Sequence, residues 1–121
     1  MTPARTIRKG RYWEIVSTTR GDRNEVTDFI KYLPIPDKKK VIRMLRDIAD
    51  AEDGPFMYRN DQKMKHLTDR IYELKPGAVR LLFFVDRPSR MVLTSGFRKG
   101  AELSREIARA KVTRSAYYEE G

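Results

Sequence analysis

Apolar and polar positions alternate or recur in short, separate runs along the chain. From Tyr12 to Thr18 (YWEIVST), Trp13, Ile15 and Ser17 alternate with Tyr12, Glu14 and Val16, a period of two that predicts a first strand. A polar turn, Arg20-Gly21-Asp22-Arg23, stops it. Asn24 is placed to cap a helix in which Val26, Phe29, Ile30 and Leu33 fall at helical spacing, with Pro34 and Pro36 as its end. Asp37 then caps a second helix whose apolar stripe is Val41, Met44, Leu45, Ile48 and Ala49. Residues 50–55 (DAEDGP) end it, and 56–62 have no period. Three strand-like runs follow: Arg70 to Leu74, stopped by Pro76-Gly77; Val79 to Val85, stopped by residues 86–89; and Met91 to Thr94, stopped by Ser95-Gly96. Such runs between short turns predict a three-stranded antiparallel meander. Ser104 is placed to cap a last helix from Arg105 to about Tyr118. Its apolar side, Ile107, Ala110 and Tyr117, is thin among Arg105, Arg109, Lys111 and Arg114, so it is either solvated or completed by a partner. The first ten residues lack an apolar period and read as a basic arm without regular structure.

Together these elements predict an α+β fold in a single domain over residues 1–121. Its sheet is small and mostly antiparallel, the N-terminal strand plus the meander, with two helices after strand 1 and one C-terminal helix. In the central run, Val79, Leu81, Phe83 and Val85 share one face, the expected core face, and Arg80, Leu82 and Phe84 share the other. Arg80 is the only charge there, so it must be paired or put to use. Cross-strand pairing with Glu73 and binding of an anion are both open, and they are compatible.

At 121 residues, 40% hydrophobic and 36% charged, the chain can bury one core. The formal charge of +9 is large for this size and spread over both halves, which favours nucleic acid or an acidic protein over a neutral small ligand. Without cysteine there are no disulfides or thiolate sites, and a single histidine makes a histidine metal site improbable, so no metal or other cofactor is expected. No run is long enough to span a membrane, and Arg5, Arg8, Lys9, Arg11 and Glu14 break up any signal-like region, so the expected location is the cytoplasm. The lysines Lys38, Lys39 and Lys40 have the wrong sign for the dipole at the second helix's start and are expected to face solvent, with contact to phosphate or an acidic partner as the alternative.

Four groups stand in order: Lys65-His66-Leu67, Tyr72-Glu73-Leu74-Lys75, Arg80 opening the apolar run 81–84, and Gly96-Phe97-Arg98-Lys99. With the order strand, helix, helix, meander, helix, this segment resembles the RelE/ParE toxin superfamily, most closely its HigB-like branch of phage and bacterial toxins. The resemblance implies a RelE-like fold and a toxin restrained by a cognate antitoxin, of helix-turn-helix type and encoded beside it. For the RelE and HigB branches it also implies cleavage of messenger RNA on the ribosome. The ParE branch instead inhibits DNA gyrase without cutting RNA, and a degenerate copy would fold and do neither.

Metal-free RNA cleavage uses the substrate's 2′-hydroxyl as nucleophile, so the protein must supply a base, an acid and cations for the charge on the phosphate. Arg80 and Arg98 stand where these toxins carry phosphate-binding arginines, and a guanidinium suits bidentate contact with phosphate oxygens. Lys63, Lys65 and Lys99 would join them on one rim if the meander loops close around a groove. His66, whose ordinary pKa of about 6.5 suits proton transfer, and Glu73 are the candidate proton-transfer groups. Members of the family often place a tyrosine or histidine near the C-terminal helix; position 104 is serine here, and Tyr117 and Tyr118 lie near the chain end. Tyr58, in a polar loop, is the aromatic side chain most available to stack on a base, whereas Phe97 and Tyr72 are expected in the core.

Overall fold

The computed structural model describes residues 4–120. Six strands form one sheet in the order β1-β2-β6-β5-β4-β3, with β1 at Ala4–Lys9, β2 at Glu14–Thr18, β3 at Met64–Thr68, β4 at Ile71–Leu74, β5 at Val79–Arg87 and β6 at Arg90–Arg98. The helices are α1 (Glu25–Lys31), α2 (Ile35–Ala49) and α3 (Leu103–Glu120), with a short 3-10 turn at Gly54–Met57. The class is α+β as expected, but the sheet has six strands and is mixed, because β2 runs parallel to β6 and every other pairing is antiparallel.

Both added strands lie at the sheet's edges. Residues 4–9, read from sequence as an arm, pair with β2, while residues 1–3 lie outside the described part. Edge strands need one buried row at most, and charged side chains on them discourage pairing with other chains. Arg5, Arg8 and Lys9 are exposed in this way, while Ala4 is buried and Ile7 packs against the core. Likewise β3 pairs with β4 through a turn in which Asp69 and Arg70 have φ of 48° and 61°. That left-handed pair costs about 1 kcal/mol or more for each side chain. Arg114 of α3 offsets it by donating to both the backbone carbonyl and the carboxylate of Asp69.

Asn24 caps α1 as predicted, accepting from Thr27 N at 3.0 Å. The start of α2 differs: Pro34 is its N-cap and Pro36 stands in its first turn, with Asp37 inside the helix. A proline ends a helix only from its interior; in the first turn its missing N–H costs nothing. At the last helix, Ser104 lies inside α3, its hydroxyl bonded to the Glu102 carboxylate at 3.3 Å.

Both faces of the sheet are buried, where one core face was expected. Leu74, Val79, Leu81, Phe83, Met91 and Leu93 pack under α1 and α2 against Trp13, Val26, Val41, Leu45 and Ile48. On the reverse face, Val16, Phe84 and Val92 meet Tyr117 of α3, and Ile71, Leu82 and Phe97 meet Ala110. The unbroken run Leu81 to Phe84 follows from this, since a strand covered on both sides has no solvent face to alternate with. At Gly96 the Phe29 ring of α1 lies close against the strand, and a Cβ there would collide with it. The Gly96-Phe97 pair thus admits a helix on one side and fills the core on the other.

Near the C-terminal end of α3, Tyr117 clasps the helix to the β5–β6 turn. Its phenol donates to Asp86 Oδ2 and accepts from Arg90 Nη2, each at 2.6 Å. Burial, then the hydrogen bond and charge of Asp86, raise its pKa above the ordinary 10.0, against the smaller opposing effect of Arg90. A phenol whose folded pKa is raised contributes stability that is complete below its unfolded value and lost as pH climbs through the folded one. Tyr117→Phe is therefore expected to cost about 1.5 kcal/mol at pH 7, the scale of a hydrogen bond to a charged group. Thermal unfolding of both proteins checks this: the gap between them should close as pH rises above 10, and a gap independent of pH would refute it.

Candidate nucleic-acid interface

The β4–β5 turn and the end of β6 build one cationic end of the sheet. In the antiparallel register Arg80 lies opposite Phe97 and Val79 opposite Arg98. Lys99 N bonds Ala78 O at 2.8 Å, and Lys75 N bonds Lys63 O at 2.9 Å. Backbone pairing thus holds Lys63, Lys75, Arg80, Arg98 and Lys99 at the same edge. Lys40 reaches it from α2: a Cβ built on Gly77 would lie 3.0 Å from its Cδ and 3.3 Å from its Nζ. With φ at +64°, Gly77 takes a conformation and an approach that a larger residue would strain.

Arg80 is held by its own turn. Its Nη1 donates to Gly77 O at 2.8 Å and Val79 O at 2.9 Å, so Nη2 and Nε have no partner among the described residues. Arg98 is 3.3 Å from Asp37 Oδ2, with half of its side chain exposed. Asp37 is only about a fifth exposed, but a single contact from a half-exposed guanidinium is worth about 1 kcal/mol and leaves the arginine able to reach another anion. Among the described residues, Lys40, Lys63, Lys75 and Lys99 form no salt bridge. Like charges gathered without partners repel one another, and a polyanion relieves that repulsion.

The other predicted residues do not gather at one point. Arg80 shares the α3 face with Leu82, whereas Arg98 turns towards α2, so the two arginines flank the sheet's end from opposite sides. Lys65 and Glu73 are paired in register and share the row of Leu82. Glu73 is diagonal to Arg80, only 5% exposed, and makes no ion pair with it. Beneath α3, it is shielded from any substrate. His66 occupies the next row, on the α1–α2 face, its ring 5.0 Å from that of Tyr72. It lies two strands across and three residues along from Arg80, roughly 14 Å between Cα atoms. Tyr58 is not a free loop aromatic, for it is partly buried and packs against the core under the helices. Burial, and secondarily Asp47, raise its pKa. Phe97 is buried, and Tyr72 stacks on Phe83 at 5.2 Å. Tyr117 is bound in its clasp at the far end of β5.

Lys40 and Lys75 are the cations that sequence reasoning left out of this end. Lys75 was visible as the basic residue of the Tyr-Glu-Leu-Lys group. For Lys40 the signals were its unfavourable place at the start of the second helix, which left phosphate contact open, and Gly77, a residue without a side chain in the turn that the lysine crosses. Among the described residues no helix is long and apolar enough to cross a membrane, and no group of His, Asp or Glu is arranged to hold a metal ion.

The family model described as phage-derived protein Gp49-like matches residues 28–114, from α1 through most of α3. No curated protein matches the chain. The match takes in every cation of the sheet's end together with the two helices that flank it, and the chain belongs to this Gp49-like family, a RelE-like family of toxins from toxin–antitoxin systems.

Proposed function

We propose that the protein is a HigB-like toxin that cleaves messenger RNA on the ribosome, in the cytoplasm and without a metal, binding the RNA backbone at the cationic end of the sheet. The observation that carries this reading is the convergence there of Lys40, Lys63, Lys75, Arg80, Arg98 and Lys99, with Asp37 bonded to Arg98 alone. Membership of a toxin–antitoxin family implies a cognate antitoxin.

In the proposed reaction the 2′-hydroxyl attacks the adjacent phosphorus, the P–O5′ bond breaks, and a 2′,3′-cyclic phosphate and a 5′-hydroxyl result. Arg80 is the strongest candidate to stabilise the charge on the phosphate, because two carbonyls fix its guanidinium while Nη2 and Nε remain free. His66 is on the opposite face, and Glu73, though diagonal to Arg80, is buried beneath α3. Proton transfer is accordingly assigned in part to groups of the ribosome, which makes cleavage depend on translation. Purified protein should cut a message on programmed ribosomes and leave the naked message intact. Equal cleavage of naked RNA would contradict that dependence, and growth arrest with uncut transcripts and altered DNA topology would favour gyrase as the target.

Lys40 gives a second check. Each cation that contacts single-stranded RNA adds about 0.7 to the slope of log K against log salt. Lys40→Ala is expected to lower the slope of RNA binding by about that amount across all sequences, and an unchanged slope would remove Lys40 from the interface.

A further inference from the structure

Away from the cationic end, a groove of about 380 Å³ runs between α3 and the segment joining β2 to α1. Its α3 wall reaches from Ala108 to Tyr117, roughly 13 Å at the rise of a helix, enough for two to three turns of another helix laid alongside. Val112 and Ala116 present apolar surface to it, and Val112 is 64% exposed, unusual for a valine on a helix that packs against a sheet. At the mouth stand Arg20 and Arg109. Two acids face Arg109: Glu25 at 3.5 Å, with both side chains more than half exposed, and the largely buried Glu106 of α3, also at 3.5 Å. An incoming carboxylate can therefore take the place of Glu25 at little cost.

From this groove we infer that an acidic, amphipathic helix of the cognate antitoxin docks here, with apolar side chains against Val112 and Ala116 and carboxylates on Arg20 and Arg109. Apolar floor and cationic rim select that chemistry over a neutral or basic segment. Docking here leaves Arg80 and Lys40 uncovered, so the antitoxin would act by keeping the toxin off the ribosome and not by masking the RNA-binding cations. The inference rests on the toxin–antitoxin part of the proposed function and is independent of cleavage.

Titration calorimetry of the full chain against the protein encoded beside it is the test. Val112→Glu and Arg20→Glu, both at exposed positions, should each weaken binding roughly tenfold or more with unchanged thermal midpoints. Lys111→Glu, an equal charge change at an exposed α3 position outside the groove, should not. In cells the first two variants should still arrest growth and escape relief by the antitoxin. Unchanged affinity of both groove variants, equal weakening by Lys111→Glu, or loss of binding on Arg80→Ala would overturn the inference. Loss of binding in the groove variants of a toxin that cuts no RNA would leave it standing and refute the nuclease reading instead.

Discussion

Arg80→Ala is expected to abolish growth arrest and slow cleavage of ribosome-bound message by about 10²- to 10³-fold, the range for removing a preorganised donor from a developing oxyanion. The size follows from how the residue is held. Its bonds to the Gly77 and Val79 carbonyls fix the guanidinium in advance, so little ordering remains to be done when phosphate arrives. It makes no salt bridge among the described residues, but truncation removes two hydrogen bonds to main-chain carbonyls of a partly exposed turn, so stability should fall by about 1–2 kcal/mol, too little to unfold the domain. Antitoxin binding should be unaffected. Rates on programmed ribosomes, read beside thermal unfolding and calorimetry, separate these effects. A fully active Arg80→Ala protein would remove the residue from the chemistry.

Phe83→Ala should show the opposite pattern. Phe83 is fully buried at the centre of β5, stacked on Tyr72 and packed among the residues under α1 and α2. Large-to-small replacement at such a site costs about 3–5 kcal/mol, from lost burial together with the cavity left behind. A domain this size has about 5–15 kcal/mol to lose. Toxicity should therefore fall through loss of folded protein, with a lowered urea midpoint, while the fraction that stays folded binds RNA normally. A change under about 1 kcal/mol would mean that the site collapses or that its packing is looser than described.

The contrast between these residues reflects what the sequence made visible. Strongly periodic segments were legible: the alternation around Ile15, the stripe from Val41 to Ala49 and the turn at Pro76-Gly77 each marked their element, and Asn24 marked the start of α1. The polar edge strands β1 and β3 were not, since an edge strand buries so little that its period fades among arginines and lysines. Nor was the cover over the second face. The buried positions of α3 include Glu106, Ala110 and Tyr117, a thin apolar set, and the burial is supplied mostly by Leu82, Phe84 and Val92 on the sheet.

The candidate site was legible as a set of cations but not as a geometry. Arg80 and Arg98 are separated in sequence by a hairpin, and the register that brings them to one end also assigns them to opposite faces. His66 and Glu73 are divided by the same parity, because one residue's difference along a strand reverses the face. That Lys40 belongs to this end depends on α2's approach to Gly77, a tertiary contact that no local pattern encodes.

Ribosome-dependent cleavage through Arg80 is tested most directly by mapping new RNA 5′ ends within minutes of inducing the wild-type protein and Arg80→Ala, each with and without a block to translation. Wild-type protein should give 5′-hydroxyl ends inside translated frames, absent when translation is blocked and absent with Arg80→Ala. Arrest of growth with no new ends, or ends that persist in Arg80→Ala, would contradict it.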